Sequence, residues 1–392
     1  MAKRPTTEGN HMNTPFRKDD TVTDLKSERW VGKSAEGTIV AHFHIRYRRF
    51  LDPDGQLLPH PPALATDSDT LRELYKGMVL ARAFDLKAIA LQRTGELRTY
   101  PSCQGQEAIA VGLASAMEAD DVLLPTYREQ GAQIWRGITL TELMLYWAGD
   151  ERGSDYAVPR KDFPVSVPIA SHTIQAAGVA TAMKLRHEKR VAVCTIGDGA
   201  TSEGDFYEAV NLAGVWKLPL VFVVSNNQWA ISMPREAQTA AQTIAQKALA
   251  GGFSGEQVDG NDVIAVRIAA QEAIDKARAG GGPTLIEALT YRLSDHTTAD
   301  DATRYRVAEE VSKQWANDPI ARLRTYLGDQ GWWNKADEEA LTSDNKTRLA
   351  AAQAAFLAMP PQKVTDMFDY LFADLPRALE AQRKSYEDAG DD

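Results

Sequence analysis

Apolar positions along this chain change period several times, and each change marks an element. From Ser68 to about Arg93, the positions Leu71, Leu74, Tyr75, Met78, Val79 and Arg82 recur at three- and four-residue spacing, which predicts an amphipathic helix. Gln106 to Met117 repeats the pattern, with Ile109, Leu113 and Met117 stacked four apart. In the middle of the chain that period vanishes. Val191–Ile196, Leu220–Ser225 and Thr284–Leu289 are short continuous apolar runs, strand-sized and rich in β-branched residues. Between them Glu203–Lys217 reads as a helix with Phe206, Val210, Ala213 and Trp216 on one side. Asp262–Ala279 reads as another, capped by an Asp or Asn of Val258-Asp-Gly-Asn-Asp262. Continuous apolar strands separated by helices imply a mostly parallel sheet covered on both faces, an α/β fold.

The flanks read differently. Residues 1 to about 35 carry Thr, Lys, Asp and Gly without periodicity, a loose arm. Ala41–Phe50 alternates like a strand, Asp52-Pro-Asp-Gly55 is a turn, and Pro59 to Pro62 is a stiff connector. After about residue 305 the pattern is helical: Val307, Val311 and Trp315, then Ile320, Leu323 and Leu327 beyond Pro319, with further helices near 336–357 and 362–388. The expected organisation is an N-terminal arm and strand-like segment over 1–65, a ligand-binding α/β domain over 66–304, and a helical extension over 305–392.

Composition narrows the partners. With 44 Lys and Arg against 54 Asp and Glu the formal charge is −10, the wrong sign for a general nucleic-acid binder. No apolar run is long enough to span a membrane. The first twenty residues lack the apolar stretch of a secretory signal, and Cys103 and Cys194 are the sole cysteines. A disulfide framework is therefore not expected, and a cytoplasmic setting is.

The most informative stretch is Val193-Cys-Thr-Ile-Gly197-Asp198-Gly199-Ala200-Thr-Ser-Glu203, where a buried strand runs into Gly-Asp-Gly before a helix. Glycines there let backbone approach an anion, and the following helix offers free N–H groups. Asp198 is the odd element, because a carboxylate beside a phosphate repels it unless a divalent cation lies between. A dinucleotide fingerprint fits poorly: its third glycine falls on Ser202, and the next strand ends in Ser225-Asn226-Asn227 rather than a ribose-binding acid. Asp198 and Asn227 both sit just past the ends of neighbouring strands, where such sheets bind ligands. One carboxylate, one amide oxygen, a backbone carbonyl, two phosphate oxygens and a water suit octahedral Mg²⁺.

This Gly-Asp-Gly … Asn-Asn arrangement resembles the thiamine diphosphate motif. Pro101-Ser-Cys-Gln-Gly-Gln-Glu-Ala108, Pro125-Thr-Tyr-Arg128, Ile174-Gln-Ala-Ala-Gly178, Gly204-Asp-Phe-Tyr-Glu208, Val258-Asp-Gly-Asn261 and Thr290-Tyr-Arg-Leu-Ser-Asp-His296 extend the likeness over roughly residues 40–390. Together they resemble the alpha subunit of the decarboxylating component of 2-oxo acid dehydrogenase complexes. The resemblance implies that Asp198, the Asn227 side chain and the Trp229 carbonyl hold Mg²⁺ against the cofactor diphosphate, with Gly197, Gly199 and Ala200 around it. It makes Arg128 the diphosphate contact, with Tyr127 beside it as a cofactor-binding residue, and Ile169 the wedge that bends the cofactor. It gives His296, on a loop where an imidazole can titrate near neutral pH, a role in acyl transfer to a lipoyl group. His172 stands near the cofactor rings where relatives often carry Gln, and Ser225 stands where some carry an arginine. Thr297 replaces the serine that is phosphorylated in eukaryotic relatives, and no such control is predicted. His42 and His44 read as one solvated face with Arg46 and Arg48, His11 and His60 as loop residues, and His187 as the end of a helix.

The same resemblance says what is missing. The glutamate that activates the aminopyrimidine comes from a separate beta subunit in an α₂β₂ heterotetramer, which docks a lipoyl-bearing acyltransferase core. Gln362-Lys-Val-Thr-Asp366, Thr243-Ile-Ala-Gln-Lys247 and Gly204-Asp-Phe-Tyr-Glu208 lean toward bacterial pyruvate-type subunits. Asp318-Pro-Ile-Ala-Arg-Leu-Arg324 and Gln330-Gly-Trp-Trp333 lean toward the branched-chain type. Pyruvate is the narrowly favoured substrate. A nicotinamide-dependent dehydrogenase and a non-catalytic scaffold are the alternatives of other classes; the second would have no reason to keep Asp198, Asn227 and His296 together.

Overall fold

A computed structural model describes residues 41–369 and 371–389; the readings of the N-terminal arm, His11 included, lie outside them. The strands are β1 (Tyr47–Arg48), β2 (Val122–Leu124), β3 (Ala192–Gly197), β4 (Leu220–Asn226), β5 (Trp229–Ala230), β6 (Met233–Pro234), β7 (Gly255–Asp259) and β8 (Thr284–Leu289). Six of them form one sheet in the order β1-β7-β8-β4-β3-β2, and every neighbouring pair is parallel. β5 and β6 make a separate antiparallel hairpin. All seven residues of β4 are buried, as its continuous apolar run requires of a strand covered on both faces.

The helices up to β8 are α1 (Ser68–Arg93), α2 (Glu107–Ala116), α3 (Gln130–Trp135), α4 (Leu140–Ala148), α5 (Ser171–Leu185), α6 (Gly204–Trp216), α7 (Arg235–Gln238) and α8 (Val263–Arg278); α1, α2, α6 and α8 match the expected spans to within one residue at each end. Asp262 caps α8, its Oδ1 accepting from Ile264 N at 3.0 Å and Ala265 N at 3.2 Å. The other oxygen, Oδ2, accepts from Phe50 N and Leu51 N at 2.6 and 2.8 Å, so one carboxylate ties the start of the α/β unit to a helix two hundred residues later. Ile109 and Leu113 of α2 pack with Val266 and Ile274 of α8 and Val223 and Ile286 of the sheet in one buried core.

The later helices are α9 (Ala308–Gln314), α10 (Pro319–Asp329), α11 (Lys335–Leu357), α12 (Asp366–Asp369) and α13 (Arg377–Ala389). Leu323 and Leu327 of α10 join Leu71, Leu74, Tyr75 and Met78 of α1, and Leu349 of α11 joins Phe84 and Leu91 further along α1.

Three expectations change. The strand over Ala41–Phe50 shrinks to Tyr47–Arg48, paired with Gln257 and Val258. The single helix over 362–388 is broken between Asp369 and Arg377, where Pro376 lacks the N–H a helix interior needs. The apolar positions Val307 and Trp315, at either end of α9, are 61% and 43% exposed, and Trp216 at the end of α6 is 45% exposed, so these do not face the core. Among the described residues no helix is long and apolar enough to cross a membrane.

Candidate active site

β3 and β4 run in register, Gly197 opposite Ser225, so the segments that leave them start from the same edge of the sheet. Beyond that edge lies a cleft of about 710 Å³. Tyr127, Arg128, Ile169, Gly197, Asp198, Gly199, Ala200, Asn227, Trp229 and His296, the residues singled out from sequence, all line it, as do His172 and Ser225.

On the β3 side, Asp198 follows the strand and a one-turn 3-10 helix occupies Gly199–Ser202. The helix expected from Glu203 begins after it, at Gly204, with Glu203 as N-cap. The two glycines have different reasons. A Cβ on Gly197 meets nothing of the protein and would stand in open space, as expected where backbone must admit a ligand. A Cβ on Gly199 would lie 2.6 Å from Ala230 Cβ, so this glycine is required by the β5–β6 hairpin packed over the turn.

On the β4 side, the chain turns through Gln228 in the left-handed region at φ 71°. Its side chain steadies the turn, Nε2 donating to Asn226 Oδ1 at 3.0 Å. Asn227 Oδ1 accepts from Trp229 N at 3.3 Å, and its Nδ2 donates to Gln106 Oε1 at 3.2 Å. The Trp229 carbonyl receives a long contact, 3.4 Å from Arg292 Nη1.

Asp198 is 4% exposed and forms no ion pair among the described residues; its one side-chain donor is Gln238 Nε2 at 3.3 Å. Burial pushes its carboxyl up to about 6, against weaker opposing pulls that include Gln238 and Arg292. A buried carboxylate in this state fits a cation. The oxygens on offer suit a hard ion, and among the described residues no group of three or more His, Cys, Asp and Glu could hold a metal unaided. A cation here needs further oxygens from its ligand, which a diphosphate supplies.

His296 faces this arrangement from the loop after β8. Arg128 Nη2 donates to the His296 carbonyl at 2.6 Å and lies 2.8 Å from its Nδ1, while Arg128 Nη1 donates to Ser102 O at 2.6 Å. The expectation of an imidazole titrating near neutrality fails. Burial first, then the positive charges of Arg128 and Arg292, hold it down to about 3, so His296 is neutral at physiological pH. With Nδ1 accepting from the Arg128 guanidinium, the neutral ring carries its proton on Nε2, so the nitrogen left over is a hydrogen-bond donor. His172 is also kept neutral by burial, its Nε2 2.7 Å from Thr195 O and its Nδ1 unpartnered.

Sequence reading passed over Arg292, Gln106, Gln238 and Glu129. Arg292 is fully buried and donates to Ile231 O at 2.7 Å and Tyr305 Oη at 2.8 Å; Tyr305 in turn donates to Asp300, whose carboxylate accepts from His296 N at 2.9 Å. That chain of contacts fixes the histidine loop. Arg292 stood in the segment Thr290–His296, but nothing local says which way it points.

Known proteins match this chain over most of its length. The family described as dehydrogenase E1 component matches residues 75–364. A 3-methyl-2-oxobutanoate dehydrogenase subunit alpha from Mycobacterium tuberculosis is 47% identical over 316 residues, 81% of this chain and 86% of the relative. Pyruvate dehydrogenase E1 component alpha subunits are 40% identical: over 343 residues in Acholeplasma laidlawii (86% of this chain, 98% of the relative) and over 340 in Bacillus subtilis (86% and 91%). With the family match spanning more than half of the sequence, this chain belongs to the dehydrogenase E1 component family, on its alpha-subunit side, among the 2-oxo acid dehydrogenases.

Proposed function

We propose that this chain holds the diphosphate end of thiamine diphosphate through Mg²⁺ and works with a beta subunit, as an α₂β₂ assembly, to decarboxylate a 2-oxo acid and pass the acyl group to a lipoyl-bearing acyltransferase core. The carrying observation is the buried Asp198 carboxylate, without an ion-pair partner, in a cleft it shares with Asn227, Trp229, Arg128 and His296. When bound, the cofactor supplies the nucleophilic carbon and electron sink for cleavage beside a keto group. Asp198, the Asn227 side chain and the Trp229 carbonyl would hold the cation, with Gly197 leaving room for the diphosphate. Burial, then the charges of Arg128 and Arg292, keep His296 neutral, with Nδ1 taken by Arg128 and Nε2–H left to donate a hydrogen bond.

Two features support a second subunit. Among the described residues there is one parallel sheet, so these residues do not build the pyrimidine-binding α/β domain, and a beta subunit supplies it. The cleft mouth also exposes Val167, Ile169, Ile231 and Met233, each about half exposed, an apolar rim suited to being covered.

For the substrate, the sequence motifs lean narrowly to pyruvate, and the relatives lean the other way, 47% identity to a branched-chain subunit against 40% to pyruvate subunits. The higher identity favours 3-methyl-2-oxobutanoate, with pyruvate as the second reading. Calorimetry on the α/β assembly with thiamine diphosphate and Mg²⁺ tests the site: Asp198→Ala abolishes Mg²⁺-dependent binding, and wild-type affinity in that variant overturns it. Turnover of the two acids by the same assembly decides the substrate. The isolated alpha chain decarboxylates almost nothing; appreciable turnover by it alone would refute the two-subunit reading.

A further inference from the structure

Gln106 occupies the N-cap of α2 yet makes no capping hydrogen bond, at a position where short polar side chains that cap are preferred. Its side chain turns instead toward Asn227, from a residue only 3% exposed that lines the cleft. Oε1 accepts from Asn227 Nδ2 at 3.2 Å, and Nε2 is buried without any partner. A buried amide nitrogen left unpartnered is unfavourable, so the orientation needs a reason.

The reason lies in which atoms can only donate. The backbone N–H of Trp229 donates to Asn227 Oδ1 at 3.3 Å, which puts the Asn227 oxygen on that side and its NH₂ opposite. That NH₂ needs an acceptor, and Gln106 Oε1 is the one it has. Turning either amide over would set N–H against N–H. The two contacts are of similar length, 3.3 and 3.2 Å, so Gln106 and the Trp229 N–H share the orientation of the amide between them.

We propose that Gln106 is a positioning residue that locks the Asn227 amide with its oxygen available to a cation in the cleft, and so sets divalent-metal affinity without touching the metal. The proposal rests on reading Asn227 as a cation ligand. Outer partners that orient a ligand change metal affinity by about 10- to 100-fold when removed.

The test uses the α/β assembly with thiamine diphosphate and reads Mn²⁺ binding by electron paramagnetic resonance, with thermal melting of each metal-free variant alongside. Gln106→Met removes the acceptor at similar size and is expected to weaken Mn²⁺ at least tenfold. The informative partner is Asn227→Asp, whose two oxygens are equivalent, so orientation no longer matters. In that background Gln106→Met is expected to cost threefold or less. A merely structural role predicts the same loss in both backgrounds, and that result overturns the proposal. If Gln106→Met does not fold, Gln106→Glu, which keeps an acceptor oxygen, carries the comparison and is expected to retain Mn²⁺ binding; loss of binding by folded Gln106→Glu also counts against the proposal. Asp198→Ala separates the two levels. Weak binding there with wild-type binding in Gln106→Met defeats this proposal alone; wild-type binding in both defeats the metal site with it.

Discussion

Glu129 gives the sharpest check on how the cleft is built. It is 2% exposed, follows Arg128 in the chain and lines the cleft, and burial pushes its carboxyl up to about 7, against weaker pulls from a Thr195 hydrogen bond and Arg128. A carboxyl that ionises near 4.5 in the open chain and near 7 here destabilises the folded state when charged. Its folded value lies above its unfolded one, so its contribution is intact below about pH 4.5 and lost as pH rises through about 7. At about 1.4 kcal/mol per pH unit of separation, the penalty is about 3 kcal/mol at pH 8 and under about 1 kcal/mol at pH 5. Glu129→Gln keeps the shape and an acceptor oxygen but removes the charge. For a chain of this size it should melt about 4 °C higher than wild type at pH 8, with most of that gain gone at pH 5. Melting curves of the isolated, ligand-free chain at the two pH values decide it. A gap independent of pH, or a variant that melts lower at pH 8, would mean that Arg128 already balances the carboxylate and that desolvation does not dominate.

Three further outcomes follow from contacts at the same site. Gly199→Ala drives a methyl into Ala230 and displaces the hairpin, so it should lower both melting temperature and thiamine diphosphate affinity, the latter at least tenfold by calorimetry. Gly197→Ala places its methyl in open space and should melt like wild type while still weakening the cofactor; a normal affinity there would mean that no ligand approaches this backbone. Tyr305→Phe removes the hydroxyl shared by Arg292 and Asp300 and should free the loop around His296, raising its rate of limited proteolysis about tenfold; an unchanged rate would show that the loop is held elsewhere.

Much of the fold is legible in the sequence because the decisive signals are local. The boundaries of α1 match Ser68 and Arg93 since a long three–four periodicity leaves little choice. Asp198 and Asn227 are legible because each follows a buried strand closely enough for the strand end to place it. What stays hidden in the sequence depends on partners far along the chain. Gln106 meets Asn227 across 121 residues, and the low proton affinity of His296 comes from burial and from guanidiniums at positions 128 and 292. Tyr47–Arg48 forms the only paired part of its predicted strand because pairing needs β7, not alternation alone. Gly199 reads as a phosphate-binding glycine and lines the cleft, but the hairpin packed over it needs a glycine as well; both uses leave the same letter in the sequence.

The strand order also fixes a sequence of events during synthesis. β3 and β4 are neighbours in both chain and sheet, so they can pair as soon as Asn226 has left the ribosome, and Asp198 and Asn227 come together then. The other edge of β4 waits for β8, whose last residue is Leu289, and the histidine loop follows later still. At about 5–20 residues per second, that interval lasts several seconds. Throughout it Leu220–Asn226, fully apolar but for its last two residues, presents an unpaired edge of the kind that recruits other strands. The nascent chain is therefore most exposed to aggregation, and most in need of a chaperone, when its Asp198–Asn227 side is assembled and its histidine side is not yet made.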